Sequence, residues 1–221
     1  IRAFNAMQER VSRAVEDRAR LLAALSHDLR TPITSMRLRV EMMPSSEDRS
    51  RLLESLAEMQ TLAEATLDFV RGASAEAPRA VDLDSLLDSL CTDLSDLGQP
   101  VHYTRAGRCL LSTRPNALRR ALANLIDNGV KYGQRVDVSL EHQAQNLLIR
   151  IRDYGSGIPD ADQERVFEPF CRLEDSRNRE TGGTGLGLAI ARALIRQHGG
   201  EIRLRNRPDG LDVEVELPPG W

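Results

Sequence analysis

An apolar stripe near the start constrains this chain most: Leu22, Leu25, Leu29, Ile33, Met36, Val40 and Met43 recur three or four residues apart. That spacing gathers them on one face of a helix, and such a face is stable only when it packs against others. Pro44-Ser45-Ser46-Glu47-Asp48 then reads as a turn, with Ser46 or Asp48 able to cap the next helix. The second helix carries Leu52, Leu56, Met59, Ala63, Thr66 and Val70 at heptad spacing. Two antiparallel helices cannot bury both stripes alone. Pairing two hairpins into a four-helix bundle does so, which predicts a homodimer; the alternative is a hairpin packed on the rest of the chain.

Upstream, Phe4, Met7, Val11, Ala14, Arg18, Leu21 and Leu25 form a separate seam, weakened at Arg18. From Leu22 the register has moved by about four residues, a stutter that can pass rotation or strain along a helix, although most stutters are only structural. His27 lies off the main stripe, roughly 200° from Leu25 and from Leu29 in opposite senses, so its imidazole is expected to face solvent. Asp28 follows it. An exposed imidazole beside a carboxylate can be held in one tautomer and made a better nucleophile, yet a lone pair of this kind is usually a solvated surface pair. Pro32 sharpens the case by removing a backbone donor and bending the helix, and Thr31 can hydrogen-bond at the bend.

Gly72 to Ala80 has small residues and a proline without a periodic apolar face, and reads as a linker. Beyond it the pattern predicts a helix near Asp84 to Leu97, strands at Val101 to Arg105 and Cys109 to Ser112, and a helix from Pro115 to Tyr132 capped by Thr113. A hairpin of Arg135 to Glu141 with Asn146 to Asp153 follows. After glycine-rich loops come a helix from Leu186 to His198 and strands at Glu201 to Asn206 and Leu211 to Leu217. The fold class is therefore α+β, with an α/β sandwich built on an antiparallel-rich sheet after the helical hairpin. A net charge of −3 opposes a nucleic-acid footprint, and 4% aromatic residues leave little for base stacking. The three cysteines are far apart and form no Cys-x-x-Cys, which argues against a disulfide framework or zinc site. No apolar run is long enough for a membrane helix.

Asn124, Asn128 and Lys131 fall within about 60° on a face of the Pro115–Tyr132 helix away from Leu118, Leu122, Leu125 and Ile126. Two amides and an ammonium on one stripe can meet a phosphate chain and its metal, or form an ordinary polar face. Asp153-Tyr154-Gly155-Ser156-Gly157-Ile158-Pro159 ends a strand with glycines that permit close approach to a ligand and a carboxylate able to accept from an exocyclic amine, though such a stretch is more often a turn. Gly182-Gly183-Thr184-Gly185-Leu186-Gly187-Leu188 opens a helix, where backbone N–H groups favour phosphate oxygens. It is neither a Walker A loop nor a Rossmann fingerprint.

The stretch Leu25-Ser26-His27-Asp28-Leu29-Arg30-Thr31-Pro32 resembles the phosphoacceptor box of sensor histidine kinases, most of all the osmosensing EnvZ-like branch. Asn124-Leu125-Ile126-Asp127-Asn128-Gly129-Val130-Lys131-Tyr132 is similar to that family's N box, Asp153 to Pro159 to its G1 box, Phe167-Glu168-Pro169-Phe170 to its F box, and Gly182 to Leu188 to its G2 box. Gly129 departs from the usual alanine. Phe4-Asn5-Ala6-Met7 looks like the second helix of a HAMP relay domain. The resemblance implies ATP and Mg2+, with Asn128 as metal ligand and the nucleotide held by Asn124, Asn128, Lys131, Tyr132, Asp153, Gly155, Gly157, Ile158, Phe170, Arg172, Gly183, Thr184, Gly185, Leu186, Gly187 and Leu188. Asp153 would read the adenine amino group, and Arg172, in a charged lid between Cys171 and Thr181, would reach the γ-phosphate. His27 would be phosphorylated with Asp28 as base, and Thr31 would position water for dephosphorylating a partner response regulator.

The resemblance also implies four segments: the end of a HAMP domain with its connecting helix over 1–20, the phosphotransfer hairpin over 21–71, a linker over 72–80, and an ATP-binding domain over 81–221. It further implies a homodimer attached through a missing N-terminal part to the plasma membrane, with this portion in the cytoplasm. Two rivals are a non-catalytic dimer scaffold and a GHKL ATPase of the chaperone, topoisomerase or mismatch-repair type. The intact Asn128 and Asp153 oppose the first, and His27 with Pro32 opposes the second.

Overall fold

In the computed structural model the described residues are 29, 31–53, 55–57, 59–60, 76–143, 146–173 and 185–219. The chain divides into two compact units, Ile1–Gly72 and Ala73–Trp221. His27, Asp28, Gly183 and Thr184, the expected HAMP segment, and the lid beyond Leu173 lie outside the described residues.

In the first unit, helical backbone covers 31–41 (α1) and resumes at 47–53, 55–57 and 59–60 (α2). The turn between them resolves the choice of cap, because the Arg49 N–H donates to Ser46 Oγ at 3.1 Å. Thr31 is exposed at the start of α1. Ile33 and Leu56 are buried, whereas Leu29, Met36, Met43, Leu52 and Met59 remain between 44% and 49% exposed. These are the residues of the two stripes.

The second unit runs β1 (Arg79–Asp82), α3 (Leu83–Asp96), β2 (Val101–Thr104), β3 (Leu110–Thr113), α4 (Pro115–Tyr132), β4 (Val136–His142), β5 (Leu147–Asp153), α5 (Gly187–Gln197), β6 (Glu201–Arg207) and β7 (Gly210–Leu217), with two short 3-10 turns between β5 and α5. Five strands form one sheet in the order β2-β4-β5-β7-β6, parallel only at β2–β4. Alternation sets its register. Leu140, Ile149, Val215 and Ile202 make one buried row under the helices, and Val136, Asp153, Leu211 and Asn206 make the row at the end where the glycine loops emerge. The alternate positions carry charge: Arg152 pairs with Asp212 at 2.7 Å, Arg205 with Glu214 at 2.9 Å and Arg203 with Glu216 at 3.0 Å. The helices supply the opposing apolar layer, with α4 burying Leu118, Leu122, Leu125 and Ile126 as their spacing predicts.

Two features differ from the sequence expectation. Residues read as linker take part in the second unit: β1 pairs antiparallel with β3, Arg79 opposite Thr113, so ordered structure begins before residue 81. Thr113 does not cap α4. It is fixed in that pairing with a buried hydroxyl, and the cap position belongs to Arg114, which makes no side-chain cap bond. Instead the Glu76 carboxylate accepts from the N–H groups of Asn116 and Ala117 at 3.1 and 3.2 Å. A carboxylate from a distant segment thereby satisfies the free donors and complements the helix dipole.

Candidate functional site

Four pieces of chain carry the candidate residues. The first is α4, whose half-buried Asn124, Asn128 and Lys131 share one face, as the spacing requires. Asn124 Nδ2 is buried with no hydrogen-bond partner among the described residues. A buried amide donor left unpaired is costly unless something occupies the space in front of it. Burial, and then the neighbouring charge of Arg172, hold the Lys131 ammonium below its ordinary pKa, while Asp127 one turn back acts the other way. The structure thus brings Arg172, an exposed residue 41 positions away in the chain, into the field of Lys131. A phosphate chain would relieve the repulsion between them.

The second piece is the loop leaving β5. Asp153 is only 5% exposed, and its Oδ1 accepts from the Gly155 N–H at 2.9 Å. Burial raises its pKa above the ordinary value, opposed by backbone hydrogen bonds from Gly155 and Leu211. The surroundings are built to bring backbone close to it. A Cβ on Gly133 would lie 2.6 Å from Asp153 Cβ, and one on Gly155 would fall on the Tyr132 carbonyl oxygen. Gly129 belongs to the same packing, since a methyl there would press on Val136 Cγ2 at 3.0 Å and approach Asp153 Cβ at 3.6 Å. That contact leaves little room for a side chain in the last turn of α4, where glycine costs up to about 1 kcal/mol relative to alanine.

The third piece is the Phe167–Phe170 stretch. Phe167 is buried under the guanidinium of Arg192 from α5, 4.5 Å from the ring centre, and Arg192 also pairs with Glu164 at 2.8 Å. Phe170 projects into solvent with a left-handed backbone (φ 65), and its N–H donates to the Gly185 carbonyl at 3.0 Å. The fourth piece, the start of α5, is therefore tied to the Phe167–Phe170 turn directly. A Cβ on Gly187, first in α5, would meet nothing within 4 Å among the described residues. The Leu186 side chain is 2% exposed and belongs to the core, so only its backbone can face a ligand. Tyr132 is exposed at the end of α4, and Gly157 and Ile158 are half-buried in the β5 loop.

Sequence reasoning missed several residues that shape this site. The Tyr154 hydroxyl donates to Asp137 at 2.5 Å, with Arg135 over its ring at 4.3 Å, which braces the loop just after Asp153. Gly210 of β7 passes against the Asp153 carbonyl. Asn206 bonds both sides of the Ile158 peptide, accepting from its N–H at 3.0 Å and donating to its carbonyl at 2.7 Å. These contacts cross the sheet over long sequence separations, so no local motif signals them.

A polar stripe on a helix, a buried carboxylate beside it and glycines at a helix start together fit a nucleotide. The carboxylate suits an amine on the base; the amides, the ammonium and the exposed N–H groups suit phosphates. The Asn124 donor and the position of a Gly187 Cβ, both without a partner among the described residues, are the features that such a ligand would fill. An amide oxygen of Asn128 suits Mg2+, which takes oxygen ligands and commonly shares them with substrate phosphates.

Comparison with known proteins agrees with this geometry. Residues 17–75 match the family described as the His Kinase A (phospho-acceptor) domain, and residues 113–220 match the histidine kinase-, DNA gyrase B-, and HSP90-like ATPase family. Sensor histidine kinase GtrS of Pseudomonas aeruginosa is 38% identical over 98% of this chain and 45% of its own length. Sensor histidine kinase CpxA of Escherichia coli K12 is 30% identical over 98% of this chain and 50% of its own length. The chain spans about half the length of these curated relatives. Among solved structures, the ATP binding domain of PrrB from Mycobacterium tuberculosis is 30% identical, with a TM-score of 0.54 over 65% of this chain and 98% of that one. Full-length ShkA in complex with AMPPNP shares the fold at 23% identity, with a TM-score of 0.69 over 90% of this chain and 45% of that one.

Proposed function

This chain belongs to the sensor histidine kinases, with a phospho-acceptor hairpin followed by a GHKL-type ATPase domain, and we propose that it phosphorylates itself on His27 from ATP and passes the phosphoryl group to an aspartate of a response regulator. The observation that carries the reading is the junction of α4 with the β5 loop, where the end of the helix that carries Asn124, Asn128 and Lys131 packs against the buried Asp153 and Gly155, with Arg172 in the field of Lys131.

The base is held by the Asp153 carboxylate, which accepts from the adenine amine. Asn124, Lys131 and Arg172 take the phosphates, and backbone N–H groups at the start of α5 complete the cradle. Asn128 would hold Mg2+, which would supply neutralisation of the phosphate charge. A nitrogen of His27 forms a bond to the γ-phosphorus while the bond to the β–γ bridging oxygen breaks and ADP leaves. Asp28 orients the ring and accepts its displaced proton. Thr31, exposed on α1, is suited to position water for hydrolysis of the phosphorylated regulator.

Leu29, Met36, Met43, Leu52 and Met59, half-exposed in one protomer, support a four-helix bundle made with a second copy. The Phe4-Asn5-Ala6-Met7 likeness to HAMP helices supports attachment of the whole protein to the inner membrane upstream, near the osmosensing branch of the family. Among the described residues no helix is long and apolar enough to cross a membrane. The segments proposed are 1–20 for HAMP and connecting helix, 21–71 for the hairpin, and a short linker from 72 that ends where Glu76 and β1 join the ATP-binding domain, which runs on to 221.

The test is incubation with γ-labelled ATP and Mg2+ beside His27→Gln and Asn128→Ala, followed by acid and alkali treatment of the label. Acid-labile, alkali-resistant label that disappears in both variants is expected. ATP binding without any label in the unaltered chain would favour a dimer scaffold instead.

A further inference from the structure

Resting on the ATP-site reading above, we propose that Asn206 is a positioning residue of the nucleotide site, which holds the loop after Asp153 in its ligand-binding form from two strands away. The register places it there. Asp153 of β5 pairs with Leu211 of β7, and Leu211 pairs with Asn206 of β6, so the three residues share one row and one face of the sheet. From that row the loop leaves at Asp153, turns at Gly157 with φ +73, and returns over the sheet at Ile158.

The Asn206 amide meets it there as a further strand would. Its oxygen accepts from the Ile158 N–H at 3.0 Å, and its nitrogen donates to the Ile158 carbonyl at 2.7 Å and to Asp160 Oδ1 at 3.0 Å. Three bonds use one planar side chain in the orientation that only an amide supplies, with acceptor and donors side by side. A side chain at position 157 would displace the amide, since a Cβ would lie 2.7 Å from Asn206 Oδ1, and the left-handed backbone there disfavours one as well. Asp153 is held at its own end by the Gly155 N–H. Asn206 therefore fixes the far end of the segment whose near end carries the base-reading carboxylate. Releasing it leaves the sheet intact and lets the segment from Ser156 to Asp160 move relative to Asp153, so the expected loss is in ligand affinity ahead of stability.

Asn206→Leu keeps the volume and removes all three bonds. Asn206→Asp keeps an acceptor for the Ile158 N–H but turns a carboxylate toward the Ile158 carbonyl and Asp160. Affinity for ATP is measured by calorimetry on the whole chain at a temperature where circular dichroism shows each variant folded, and exchange of the Ile158 amide is followed in the same samples. Two exposed hydrogen bonds to the peptide correspond to about a tenfold loss in ATP affinity for Asn206→Leu. A loss at least as large is expected for Asn206→Asp, with Ile158 exchange accelerated in both and exchange of α4 amides unchanged. Unaltered ATP affinity in both folded variants would overturn the proposal, as would a loss in which α4 amides exchange faster along with Ile158, the mark of a purely structural role. Failure of the unaltered chain to bind ATP would instead overturn the reading of the site, and this proposal with it.

Discussion

Replacing Gly155 with alanine tests whether close approach of the β5 loop to α4 is what fixes Asp153. The added Cβ would fall on the carbonyl oxygen of Tyr132, with Tyr132 C at 3.0 Å and Asp153 Oδ1 at 3.1 Å. Tyr132 is the last residue of α4 and cannot retreat without unwinding the helix end. The loop must move instead, and the Gly155 N–H leaves the Asp153 carboxylate. Overpacking of this kind costs roughly 1–3 kcal/mol. Loss of a hydrogen bond to a charged group adds about 1.5–3 kcal/mol. Because movement of the loop relieves part of the first while incurring the second, a net cost of about 3 kcal/mol is expected. For a unit of this size that lowers the thermal midpoint by roughly 6–12 °C. Displacement of Asp153 should weaken ATP binding by at least about tenfold, the equivalent of 1.4 kcal/mol. Gly187→Ala is the control for melting alone, since its Cβ would meet nothing within 4 Å among the described residues and would instead enter the space assigned to the nucleotide. Thermal unfolding followed by circular dichroism, with ATP titration of each variant, decides the matter. A Gly155→Ala chain that melts with the unaltered one and binds ATP equally well would refute the reasoning.

Two further outcomes are expected. Burial raises the pKa of Asp153, so the native state holds a proton that the unfolded chain has already released; the resulting penalty is absent below the unfolded pKa and complete above the native one. As pH falls through that window, stability relative to Asp153→Asn should rise in urea titrations while ATP affinity falls for want of an ionised acceptor, and flat traces for both would contradict the assignment. Glu76→Ala removes the carboxylate that accepts from Asn116 and Ala117 and should cost about 1 kcal/mol by urea unfolding, as loss of a helix cap does, whereas Thr113→Val should show no loss of a cap.

How much of this could be read in advance depended on the range of the interactions involved. The bounds of α4 were legible to the residue, because Pro115 fits the first turn, the apolar arc is continuous, and Gly133 follows the last helical position. The same helix displayed Asn124, Asn128 and Lys131 on one face, since a fixed angle per residue makes that a property of spacing alone. β1 was not legible. Its four residues follow a run of small ones, two of them are exposed, and they become a strand only because β3 lies alongside. The cap on α4 failed for a related reason: Thr113 has the right chemistry at the right distance, but its pairing with Arg79 commits it to the sheet.

Asn206 shows where local reading stops. In sequence it is a polar residue near the end of a strand, two positions before Pro208-Asp209-Gly210. It reaches Ile158 because β6 pairs with β7 in the register that sets Asn206 opposite Leu211, and β7 pairs with β5 in the register that sets Leu211 opposite Asp153. A shift of one residue in the turn between β6 and β7 would send the Asn206 side chain to the face that carries Arg205 and Asp212, and the clasp would be lost with every box motif unchanged. The boxes specify the groups that touch nucleotide, while the parity of the strands between them sets whether those groups are held in place.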